Sequence, residues 1–139
     1  MSNREWDFNK ANAYCFVAFA GLTDGEMVKS EFKAIFSAVK SWMPNDTNDD
    51  DVIKCCATAH QWVLEDIKLG GIETVADNMS DVMTSHRNWF EKHEDGGIAS
   101  KTAYLKDLIE ISMADNVIKD SEKAWIVNIA KALNVDFTP

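Results

Sequence analysis

Two octapeptides of one pattern, one near each end of the chain, constrain its fold more than any other feature. The first is Asp24-Gly25-Glu26-Met27-Val28-Lys29-Ser30-Glu31, the second Asp115-Asn116-Val117-Ile118-Lys119-Asp120-Ser121-Glu122. Each reads acid, turn residue, spacer, aliphatic, two variable residues, serine, glutamate. Each follows an apolar helical stretch and precedes another. Gly and Asn enter left-handed backbone more readily than other residues, so each copy predicts helix, tight turn, helix. The duplication predicts pseudo-symmetric N- and C-terminal helix-turn-helix repeats and a site shared between them.

Apolar residues recur at helical spacing almost throughout, and Pro44 and Pro139 are the only prolines. A first helix is expected over about residues 7–22, apolar all round in its second half and therefore central. After the first octapeptide, Phe32, Ile35, Phe36, Val39, Trp42 and Met43 form a stripe that Pro44 closes. Residues 45–51 form a polar connector whose final aspartates are expected to cap the third helix and oppose its dipole. That helix carries Val52, Cys56, His60, Val63, Leu64 and Ile67 on one face and stops at Gly70-Gly71. A fourth carries Ile72, Val75, Ala76, Met79, Val82, Met83, His86, Phe90 and His93 and ends at Gly96-Gly97. Leu105, Leu108, Ile109 and Ser112 mark the inner face of a fifth, and Ile126, Ile129, Ala130 and Leu133 that of the last. Nothing reads as a strand. The expectation is one all-α domain over residues 1–139, a bundle of six helices.

A net charge of -9 on 139 residues disfavours nucleic acid and anionic membrane surfaces and suits a basic protein partner or divalent cations. Three cysteines, Cys15 and the adjacent pair Cys55 and Cys56, argue against a disulfide framework and for a reducing cytosol. The apolar run from Ala13 to Leu22 is too short to span a bilayer and reads as a buried helix. A soluble cytoplasmic protein without membrane insertion is expected, with another protein as its partner.

The octapeptides admit a structural reading: Asp beside Gly or Asn is turn chemistry, the aliphatic residue enters the core, and the glutamate sits at the positive end of the next helix. They also match the last eight positions of an EF-hand calcium loop. The first and third positions of such a loop would fall on Ala20 and Leu22, and on Ile111 and Met113, none of which carries an oxygen ligand. A normal EF-hand is excluded.

An apolar helix followed by Ala-x-Ala-Asp-Gly-x-Ile-x-x-x-Glu, repeated near both ends of a helical chain, resembles the TerB-like tellurite-resistance family. The second copy carries the closer match, Ile111-Ser112-Met113-Ala114-Asp115-Asn116-Val117-Ile118 and then Glu122. The chain also closes on Ile129-Ala130-Lys131-Ala132-Leu133-Asn134-Val135, similar to the family's alanine-rich helix ending in Leu-Gly-Ile or Leu-Gly-Val. The resemblance spans the chain in helix order, but its specific part is confined to the two octapeptides and their flanks. It implies a bundle of about seven helices with pseudo-symmetric halves. It further implies a role in bacterial stress response or tellurite resistance, and acidic residues that bind a divalent cation. Those acids are Asp24, Glu31, Asp115 and Glu122, and the implied ions are Ca²⁺, Mg²⁺, Mn²⁺ or Zn²⁺. The chain departs from the family at Asn116, which replaces the usual Gly, and at Val28 and Lys119, which replace a helix-capping Ser or Thr. Lys119 adds a positive charge next to any cation there.

Cys56 and His60 stand four apart, but no second close pair of ligands completes a zinc site, so a buried thiol and a core histidine are expected. No residue three before His60, His86 or His93 is a glutamate, which excludes a di-iron bundle. Phosphate loops, nucleophile elbows and His-Glu-x-x-His motifs are missing from the sequence, and an enzyme is not expected. Among the five tryptophans, Trp62 and Trp125 fall beside their apolar stripes and are candidates for a partner surface.

Overall fold

The computed structural model describes residues 6–24, 29–92, 97–113 and 120–137. These form α1 (Phe8–Asp24), α2 (Lys29–Ser41), α3 (Asp49–Phe90), α4 (Ile98–Ser112) and α5 (Asp120–Ala132), with no strand among the described residues. Among them, too, no helix is long and apolar enough to cross a membrane.

A helix that is apolar on every side is stable in water only when neighbours surround it. Every residue from Ala13 to Ala20 on α1 is at most 1% exposed. Tyr14, Phe16 and Phe19 fill the space between helices, while Ala13, Ala18 and Ala20 let neighbouring helices approach. α1 accordingly packs against all four other helices.

Asn48, rather than an aspartate, caps α3, its Oδ1 accepting the Asp51 N–H at 2.9 Å. Asp49, Asp50 and Asp51 form the first turn, where their charges oppose the helix dipole. The expected stop at Gly70-Gly71 is a break within α3, because Gly71 has φ 74° and ψ -162°, outside helical space. This break accounts for five helices in place of six. Its effect on the path is large. Asn78 Nδ2 donates to Asp66 Oδ2 at 2.8 Å, whereas residues twelve apart on a straight helix lie about 18 Å from each other. The arms of residues 49–70 and 72–90 therefore fold back on one another. Tyr14 of α1 inserts between them, its hydroxyl donating to the same Asp66 Oδ2 at 2.7 Å.

Polar side chains fasten the remaining helices. Trp42, just after α2, donates through Nε1 to Asp107 of α4 at 2.7 Å. The buried Lys101 of α4 reaches Glu91, just after α3, at 2.7 Å. Gly97, which precedes α4, has φ 81°, and a Cβ there would come within 2.5 Å of the Phe90 carbonyl oxygen, so only glycine fits. After α5, Asn134 takes φ 60° and the Val135 N–H reaches back to Ala130 O at 3.1 Å. Asparagine here makes the left-handed cap that glycine usually supplies.

Tyr14→Phe removes a donor to the buried Asp66 carboxylate, and a loss of roughly 1–3 kcal/mol is expected in urea unfolding. An unchanged midpoint would mean that this hydroxyl does not hold α1 against the arms.

Candidate functional site

α1 ends at Asp24, and Glu31 and Glu122 are each the third residue of their helices, α2 and α5. The two octapeptides thus open their following helices in the same register. Glu122 is 2% exposed. Asp115 lies outside the described residues, as do the turn residues 25–28. Among the described residues, no group of three or more His, Cys, Asp or Glu side chains could hold a metal ion. The side chains of Asp24 and Glu31 lie outside the described residues too, so of the four acids expected to converge only Glu122 is described.

The cysteine thiols are kept protonated near neutral pH by burial. Burial pushes the Cys15 thiol, which lies beside Tyr104, up to about 12, and the Cys55 and Cys56 thiols to about 11 and 12. Protonated thiols are poor metal ligands and poor nucleophiles at neutral pH.

One surface feature was not anticipated. α3 was expected to carry one apolar face, and its arm of residues 49–70 has two. Val52, Cys56, Ala59, Val63 and Asp66 are buried. Ile53 is 54% exposed, Leu64 51% and Ile67 40%, and Ala57 stands exposed in line with them. The spacing of 53, 57, 60, 64 and 67 places these residues on one face of the helix. Ile53, Ala57 and His60 of this line form one wall of a groove of about 650 Å³ and Phe32 and Phe36 of α2 the other, while Leu64 and Ile67 extend the apolar line beyond it. His60, half-buried, meets Phe32 edge to face at 6.0 Å. The sequence signal was present in Ile53 and Ala57, but a single stripe running from Val52 to Ile67 merged two faces.

The tryptophans redistribute as well. Trp62 and Trp125 are half-buried against the core, whereas Trp6 and Trp89 are the more exposed, at 42% and 46%. His86 is buried as expected, stacked on Phe8 at 4.8 Å, with Nε2 3.4 Å from Asn12 Oδ1. Burial lowers its pKa to about 4, so the ring is neutral near pH 7. His93 lies outside the described residues.

With this geometry in view, the chain matches no family model, no curated protein and no solved structure. Its class is defined by its own features: an all-α protein built around a buried helix, with an apolar groove on its surface.

The neutral His86 sets an acid limit on stability. Its folded pKa lies below the ordinary 6.5, so the native state binds fewer protons than the unfolded chain between the two values. Its contribution is complete above pH 6.5 and is lost as pH falls towards 4, on the order of 3 kcal/mol in total. His86→Gln should flatten the stability profile in that window, measured by urea unfolding at successive pH values. Parallel profiles for the two proteins would contradict this.

Proposed function

We propose that the protein is a non-enzymatic adaptor of the TerB-like kind, a cytoplasmic stress-response module that binds another protein through the groove between α2 and the first arm of α3. The observation that carries this reading is the second apolar face of α3. Exposed aliphatic residues along one helical line, walled by two phenylalanines, cost free energy in water unless a partner covers them. An amphipathic helix presenting apolar residues at i, i+3 or i+4, and i+7 fits such a groove. A partner with basic flanks would be drawn by the net charge of -9.

A second reading rests on the common register of α2 and α5. Here the halves are pseudo-symmetric, the bundle follows the six-to-seven-helix plan of the TerB-like family, and Asp24, Glu31, Asp115 and Glu122 hold a divalent cation. Docking is favoured over it because the exposed apolar line of α3 is observed, and Lys119 in the second octapeptide puts a positive charge beside any cation held there.

Ile53→Asp and Leu64→Asp change exposed positions, so each should alter stability by less than about 0.5 kcal/mol. A photoreactive benzoylphenylalanine in place of Ala57 should give a discrete protein adduct in the cell of origin, abolished by either aspartate. No adduct, or one that survives both substitutions, would contradict docking at this groove. Calorimetric titration of chelator-treated protein with Ca²⁺, Mg²⁺, Mn²⁺ and Zn²⁺ separates the two readings. No saturable heat is expected from docking alone, while a micromolar site lost in the Asp24→Asn, Asp115→Asn double variant would establish the cation reading.

A further inference from the structure

A second concavity, of about 460 Å³, opens where the start of α1 meets the second arm of α3. It has the size of a small-ligand site. Trp6, Phe8 and Trp89 line it with aromatic surface, and Asp7 and Asp81 with carboxylates. Phe8 and Trp89 stand 5.0 Å apart, tilted at 42°. No lysine or arginine lines the concavity among the described residues. His86 backs it as a neutral ring and adds no positive charge near pH 7.

The two carboxylates differ in their commitments. Asp7 caps α1, accepting the Lys10 N–H at 2.8 Å, with the Lys10 ammonium 3.9 Å away. Asp81 is exposed on the second arm of α3 and belongs to the concavity wall. An anion placed here would meet two negative charges. A neutral apolar ligand would strip water from Asp81 with nothing in return. A bare metal ion would find aromatic carbon where it needs oxygen donors. A small organic cation has none of these defects. Its charge pairs with Asp81, and its methyl groups lie against the negative faces of the aromatic rings. Methylated ammonium suits the site better than a primary ammonium, which is strongly hydrated.

We propose that this concavity binds a small quaternary or methylated ammonium compound, with Trp6, Phe8 and Trp89 as its aromatic walls and Asp81 as its counter-charge. The site is independent of the groove between α2 and α3.

The test is isothermal titration of the full chain with choline and with 3,3-dimethylbutan-1-ol, the uncharged isostere that carries carbon in place of nitrogen. Choline should bind saturably and the isostere at least roughly tenfold more weakly. Asp81→Asn alters an exposed side chain and should melt like the wild type. Trp89→Leu removes ring contacts to Phe8 and Phe90 and should melt slightly lower while remaining folded. Each should weaken choline binding by roughly fivefold or more. No saturable heat with choline, equal affinity for the isostere, or unchanged choline affinity in both variants would overturn the proposal. Phosphatidylcholine vesicles, tested by co-sedimentation, distinguish a lipid head group from the free compound. Retention on vesicles without binding of free choline would overturn the small-molecule assignment.

Discussion

One buried carboxylate organises this fold. Asp66 is 3% exposed, and its Oδ2 accepts from Tyr14 on α1 and from Asn78 on the opposite arm of α3. A carboxylate out of water is tolerated only when donors replace its hydration. Two such donors come from other stretches of chain, and both reach the carboxylate only when α1 and both arms stand in one register. Sliding an arm by a turn would leave an unpaired charge inside the protein. The polar knot therefore specifies the arrangement, while the apolar packing around Tyr14, Phe16 and Phe19 supplies most of the stabilisation.

What remains on the surface follows from that register. With Asp66 turned inward, the inward face of the first arm runs through Val52, Cys56, Ala59 and Val63, and Ile53, Leu64 and Ile67 point away from the core. α2 lies alongside and closes one wall of the groove. On the second arm the inward face carries His86 and Phe90 towards Phe8, which leaves Trp89 at the rim of the aromatic concavity. Both surface features are consequences of how α3 is fixed around α1.

The sequence made α1 legible because Ala13 to Leu22 is apolar on every side, a pattern that only a central helix satisfies. The starts of α2 and α5 were legible from the octapeptides, and the break at Gly71 from the paired glycines. The orientation of the first arm of α3 was not. Its buried line includes an aspartate, which apolar periodicity assigns to solvent, while Leu64 and Ile67 fitted the core pattern and are exposed. The partners that make Asp66 acceptable lie far away in sequence, and no local spacing announces them. Lys101 is a similar case, buried because Glu91 receives its ammonium. The proposed acid site depends on Asp115, which lies outside the described residues, and the groove depended on which of two apolar lines faced inward.

A double-mutant cycle between Tyr14→Phe and Asn78→Ala, read by urea unfolding, tests the organising role of Asp66 most directly. Both residues donate to the same oxygen, and Asn78 Nδ2 also reaches the Tyr14 hydroxyl at 3.3 Å. Their effects should therefore be non-additive by roughly 1 kcal/mol, a coupling that should fall when the cycle is repeated on Asp66→Asn. Strictly additive losses would mean that the two donors act separately, and that the carboxylate does not join α1 to both arms.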